Sequence, residues 1–212
     1  SYRLEPNPVA GRHDLIFPMF EFEMPGGMDA LIQLETELLE RMGFAQVTEF
    51  QRRTYDEMAE KYEVKELTHA HEAAIADEVG AVCFLTDFPQ YTSPFWNMKK
   101  DGDHAKKIDV LMWGMETIGS AERACDPEEM RRQFHTISDG LYAKTLYNQF
   151  GIQRVEEELE AFLAHKFFPR CGGGIGMTRM IRAMRAAGIM ETLHNSLPGL
   201  RIQGIKSPSK VA

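Results

Sequence analysis

The chain has 212 residues, 43% of them hydrophobic and 26% charged, with a formal net charge of −8. That length allows one sizeable core, the composition is that of an ordinary soluble globular protein, and the acidic balance argues against a surface that grips nucleic acid along its whole extent, though not against a local basic groove. No apolar run approaches the roughly 20 residues of a membrane helix, no apolar stretch follows Ser1-Tyr2-Arg3 as in a signal peptide, and Cys83, Cys125 and Cys171 are too few and too far apart for a disulfide framework or a zinc site, which fits reduced cytoplasmic thiols.

Ser1 to Arg12 carries Pro6, Pro8 and Gly11 and reads as a strand end followed by a loop. Phe17 to Glu23 alternates and is aromatic, the pattern of a strand, and Pro25-Gly26-Gly27 ends it. Met28, Leu31, Leu34, Leu38 and Met42 then recur at helical spacing up to Gly43. A second helix is predicted from about Thr68 to Val79. Buried strands are predicted at Ala81–Thr86 and Ile108–Trp113, and a further strand at Met115–Arg123. Asp101-Gly102-Asp103 between lysines reads as a hairpin loop. Asp126-Pro127-Glu128-Glu129 starts a helix over 127–138, since it offers a capping acid, a proline in the first turn and negative charge at the positive end of the dipole. Another helix is predicted over 153–165. Cys171 to Gly176 reads as a glycine-rich turn leading into a helix from Met177 to about Ala187, and the chain from Leu197 reads as loop or tail. Strands interrupted by helices predict an α+β fold with a largely antiparallel sheet.

Three groups of residues point to chemistry. Gly172-Gly173-Gly174-Ile175-Gly176 lets a backbone approach a ligand closely, and Arg179 follows on the first turn of the next helix. The spacing matches neither a P-loop nor a dinucleotide-binding fingerprint, and a tight packing turn would read the same way. Asp109, Glu116 and Arg123 form the second group, at seven-residue intervals. A lone carboxylate within the apolar run around Asp109 is costly. Two acids at one site could hold Mg²⁺ and an arginine could fork a carboxylate. A salt bridge between neighbouring strands is the plainer alternative. The third group is Arg3-Leu4-Glu5, Arg12-His13, Phe17 and Glu21, unremarkable alone.

Taken in order, the three groups resemble the class II aminoacyl-tRNA synthetases, specifically the aspartyl/asparaginyl group and the related ammonia-dependent asparagine synthetase. Ser-Tyr-Arg-Leu-Glu with Arg12-His13, Phe17 and Glu21 is similar to the family's second motif, and Gly174-Ile175-Gly176-Met177-Thr178-Arg179 is similar to the third. IDVLMWGMETIGSAER looks like the segment that carries the metal-binding acids and the side-chain arginine, and Phe84 to Pro89 with Phe95-Trp96 is similar to what precedes it. The resemblance covers roughly residues 1–187.

The resemblance implies a role for each matched residue. Arg3 would contact the α-phosphate of ATP and the substrate carboxylate. Glu5 would read the adenine amino group, with Phe17 stacked on the ring and Arg179 covering its other face. Arg12 and His13 would bind the outer phosphates. Asp109 and Glu116 would position Mg²⁺ and the nucleotide, and Arg123 would grip the polar end of aspartate or asparagine. Gly172, Gly173, Gly174 and Gly176 would line the floor. Ile16 departs from the family, which usually carries a Glu there.

The family's first motif and its anticodon-binding domain have no counterpart in these 212 residues. The expectation is a fragment, a protein split over two chains, or a reduced relative, and a homodimer where the upstream half is present. The expected organisation is a class II synthetase-like catalytic domain over 1–190 and a tail over 191–212. The expected function is ATP- and Mg²⁺-dependent activation of aspartate or asparagine as an adenylate. Ammonia is favoured over tRNA as acceptor because of the net acidity. The catalytic part of a tRNA synthetase and a non-catalytic paralogue are the alternatives.

Overall fold

The computed structural model describes residues 1–9 and 14–190. An eight-stranded sheet runs through it in the order β1 (Tyr2–Leu4), β2 (Ile16–Pro25), β8 (Arg170–Gly176), β7 (Met115–Glu122), β6 (His104–Met112), β4 (Val82–Pro89) and β3 (Phe50–Thr54), with the short β5 (Lys100–Asp101) hairpinned onto β6. Among the described residues, only the β3–β4 pair is parallel. The α+β expectation with a mostly antiparallel sheet therefore holds.

Helices cover both faces. α1 (Met28–Arg41) and α7 (Met177–Ala186) pack on one side, where Leu31, Leu39, Ile108, Val110, Ile118 and Met180 make a closed core. α2 (Tyr55–Lys61) and α3 (His69–Glu78) pack on the other, where Tyr55, Met58 and Ile75 meet Cys83, Leu85 and Leu111. A third cluster joins α4 (Pro127–Thr136), α5 (Leu141–Phe150) and α6 (Ile152–Leu163) around Trp96, Met130 and Phe134.

Local chemistry sets several boundaries. Thr54 and Glu57 form a reciprocal capping box that starts α2. Asp126 Oδ1 accepts from the amides of Glu128 and Glu129 at 2.9 and 3.3 Å, so α4 begins where the sequence predicts. Gly43 takes φ +94° after α1, a conformation that favours glycine. The exposed His69 and the His71 whose Nδ1 accepts from the Thr68 amide at 2.9 Å belong to the start of α3.

Four elements differ from the sequence reading. The stretch Cys171–Gly176 is not a turn. It lies within β8, an interior strand hydrogen-bonded on both edges to β2 and β7. Without side chains the segment has no alternating pattern to read, and its neighbours impose the extended form. β3 and α2 went unpredicted because Gln51-Arg52-Arg53 breaks the apolar alternation of a strand that pairs with β4 at the edge of the described sheet. α5 also emerges only from its packing against α4 and α6. The expected tail over 191–212 lies outside the described residues. No helix among the described residues is long and apolar enough to cross a membrane.

Candidate active site

The antiparallel register aligns Glu21, Gly174, Gly119, Asp109 and Leu85 in one row across five strands, on the α2/α3 side of the sheet. Side chains in such a row share a face, and two of these positions are glycine. The result is a bare floor between β2 and β6. A cavity of about 760 Å³ stands on it, lined among others by Arg3, Glu5, Phe17, Glu116, Arg123 and Arg179, with Gly173, Gly174 and Gly176 beneath.

Each charged wall residue has a defined neighbour. Arg3 reaches in from β1, where it pairs in register with Phe17, and its Nη2 lies 2.7 Å from Glu21 Oε1. The hydrogen bond from Ser1 and the Arg3 guanidinium hold the Glu21 carboxyl below the usual range. Glu5 accepts from the Asn7 amide at 3.1 Å. Arg179 stands on the first turn of α7 and donates to the Glu116 carbonyl at 2.6 Å, with Glu116 Oε2 3.9 Å away. Arg123, at the far end, is forked by Glu23.

Most of the expected site residues therefore meet. Arg3, Glu5, Phe17, Glu116, Arg123, Gly173, Gly174, Gly176 and Arg179 all line this one cavity. Arg12 and His13 lie outside the described residues. Gly172 does not line the cavity. It lies beneath Glu23, so close that a β-carbon there would stand 2.1 Å from Glu23 Oε2. Asp109 lines the adjoining cavity of about 650 Å³, together with Glu72, Phe95 and Lys107.

Asp109 is 8% exposed, and its Oδ2 is paired with the Lys107 ammonium. The plainer alternative of a structural ion pair is thus partly realised, but within one strand and not between two. Burial raises the Asp109 carboxyl well above the usual range, Lys107 works against that, and Glu116 adds to it. Its Oδ1 has no hydrogen-bond partner, and it lies on the same side of Gly119 as Glu116 Oε1. A β-carbon at Gly119 would be 3.6 Å from the first oxygen and 2.8 Å from the second. Mg²⁺ typically takes one or two carboxylates and completes its shell with phosphate and water. Two acids converging on an open glycine fit that demand. No group of three or more His, Cys, Asp or Glu that could hold a metal occurs among the described residues.

Sequence reasoning left Glu23, Met19 and Gly119 out of the site and gave Glu21 no role. Alternation along β2 carries the missing signal, since it puts Phe17, Met19, Glu21 and Glu23 on the face of Arg3. Arg170, which lies 3.4 Å from Glu23 Oε1, had no such signal.

A family model described as tRNA synthetases class II (D, K and N) matches residues 2–192. An aspartate–tRNA(Asp/Asn) ligase of Methanococcus maripaludis is 27% identical over 176 residues, 78% of this chain and 36% of that protein. An aspartate–tRNA(Asp) ligase of Pyrobaculum aerophilum is 25% identical over 124 residues, covering 58% and 26%. Among solved structures, the asparaginyl-tRNA synthetase of Pyrococcus horikoshii complexed with asparaginyl-adenylate superposes with a TM-score of 0.64 at 18% identity, covering 89% of this chain and 49% of that one. The aspartyl tRNA synthetase of Entamoeba histolytica superposes with a TM-score of 0.63 at 18% identity, covering 89% and 44%. The chain spans about a third or less of these curated relatives and less than half of these solved chains.

Proposed function

Because this chain belongs to the class II tRNA synthetase family of the D, K and N group, we propose that its cavity binds ATP beside aspartate or asparagine and joins them as an aminoacyl-adenylate. The observation that carries this reading is the convergence of Arg3, Arg123, Arg179, Phe17 and Glu116 on one cavity over a glycine floor.

Adenylate formation is an in-line attack by a carboxylate oxygen on the α-phosphorus, with pyrophosphate leaving. The nucleophile is already ionised at neutral pH, so no general base is required. The burden is to bring two anions together and to stabilise the charge that develops. Arg3 is assigned to the α-phosphate and the reacting carboxylate, Phe17 and Arg179 to the two faces of the adenine, and Glu5 to its amino group. Arg123 is assigned to the polar end of the amino-acid side chain. Glu116, with Asp109 behind it, would hold Mg²⁺, which supplies Lewis-acid neutralisation of the phosphates when bound.

Two acceptors for the activated acyl group are open. The relatives named above are tRNA ligases, which favours tRNA. The net charge of −8 favours a small acceptor such as ammonia, giving asparagine. ATP–pyrophosphate exchange, run with each amino acid in turn and without tRNA, tests the reading. Exchange dependent on aspartate or asparagine is the expected result. Its absence from folded protein extended by the relatives' upstream half would overturn it. Added ammonia or tRNA then separates the acceptors.

A further inference from the structure

We infer that the amino-acid end of this cavity selects a side-chain carboxylate over its amide, aspartate over asparagine, because Arg170 gives the Arg123–Glu23–Arg170 group one net positive charge. The inference rests on the adenylation reading and goes beyond it, since Arg123 alone bonds to either side chain.

Glu23 is shared. It accepts from Arg123 Nε and Nη2, and Arg170 Nε lies 3.4 Å from its Oε1. The arginine side chains are only 18% and 14% exposed, against 45% for Glu23, so the two cations lie deeper than the anion between them. Arg170 is anchored at the start of β8, with its guanidinium 4.9 Å from the centre of the Phe167 ring and Nη1 3.5 Å from the Ala124 carbonyl. Glu122, the neighbouring acid, is engaged by Lys99 at 2.6 Å and by the Met28 amide at 3.0 Å. Its position in β7 puts it on the opposite face of the sheet. It does not cancel the excess charge.

The balance decides the substrate. An Arg123–Glu23 pair by itself is neutral. A carboxylate entering beside it would lose its water without a compensating charge, and the amide, cheaper to desolvate, would win. Arg170 reverses that order. It does so from behind Glu23, outside the residues that line the cavity, so it is a positioning and charge-setting residue and not a catalytic one. Gly172 makes the arrangement possible by leaving room for Glu23 over β8.

Calorimetric binding of the non-hydrolysable sulfamoyl-adenosine analogues of aspartyl- and asparaginyl-adenylate tests this without requiring turnover. The wild-type chain should bind the aspartyl analogue roughly tenfold tighter or more, the scale of one partly screened charge. Arg170→Gln should erase that ratio while leaving ATP affinity unchanged, and Arg170→Lys should restore most of it. A merely structural role for Arg170 would weaken both analogues equally. Equal binding, or tighter binding of the asparaginyl analogue, by the wild-type chain would overturn the inference and leave adenylation standing, and that arm does not depend on any variant folding. A ratio unmoved in Arg170→Gln would overturn it as well. Binding of neither analogue, by folded protein extended by the relatives' upstream half, would overturn the adenylation reading itself.

Discussion

Glu23 holds Arg123 from the floor of the cavity, with its carboxylate oxygens 3.2 and 3.3 Å from Nε and 3.1 Å from Nη2. The fork fixes the plane of the guanidinium before any ligand arrives and leaves the rest of it for a substrate. Arg123→Ala should therefore abolish amino-acid selectivity and lower exchange by about 10²–10³-fold, while ATP affinity stays near wild type. Normal aspartate activation by the variant would show that Arg123 does not hold the side chain.

Gly172 supports the same fork from below. A β-carbon there would stand 2.1 Å from Glu23 Oε2 and 2.4 Å from the Phe22 carbonyl, and the latter cannot move without disturbing β2. Gly172→Ala should destabilise the fold by about 1–3 kcal/mol and raise the KM for the amino acid more than that for ATP. Urea unfolding with exchange kinetics measures both, and an unchanged midpoint would contradict the packing read here.

Phe17 is assigned to the adenine ring. Stacking on a base typically contributes about 1–3 kcal/mol, so Phe17→Ala should weaken ATP binding by roughly tenfold or more, with Phe17→Tyr close to wild type. Calorimetric titration with ATP would detect the loss, and an unaffected affinity would move the adenine elsewhere.

Glu116 and Asp109 predict Mg²⁺ dependence. Glu116→Gln keeps the shape but removes a charge from the pair that converges on Gly119. Exchange should fall by about 10²-fold, and higher Mg²⁺ should recover part of it. A variant with the wild-type Mg²⁺ response would exclude Glu116 as a ligand.

Glu35 makes stability depend on pH. It is fully buried on α1, neither carboxyl oxygen has a hydrogen-bond partner, and burial pushes its pKa up from 4.5 to about 7, with Asp109 adding to the rise. The folded state thus holds this proton more tightly than the unfolded chain. The contribution is fully present below pH 4.5 and is lost as pH rises through about 7, amounting to about 3 kcal/mol by the linkage of pKa to stability. Glu35→Gln should flatten the fall in stability between pH 5 and pH 8 and leave the protein more stable at pH 8. Asp109, also raised, keeps some slope in the variant. Chemical denaturation at a series of pH values would show it, and identical slopes for the two proteins would rule Glu35 out as the source.

The strongest periodic segments were legible without coordinates. α1, α4, β2, β6 and β7 fall within a few residues of where spacing and capping put them, since each carries its own apolar pattern or stop signal. β3, α2 and α5 were not, because their form depends on neighbours distant in sequence. The glycine stretch failed for the opposite reason: it has no side chains to pattern, and only hydrogen bonding to β2 and β7 makes it a strand.

For the site, the sequence by itself determined which chemical groups are present and in what order. Arg3, Glu5, Phe17, Asp109, Glu116, Arg123 and Arg179 were nameable from motif resemblance. Only the tertiary structure decided which of them share a space. Strand register across β2, β8, β7 and β6 sets the glycine floor, turns Glu21 and Glu23 onto the cavity face and places Asp109 beside the next cavity with its charge already engaged by Lys107. It also brings Arg170 against Glu23, across 147 positions of sequence. No local pattern encodes such a contact, because a sheet pairs residues by the register of whole strands, and that register is set by the burial of every strand at once.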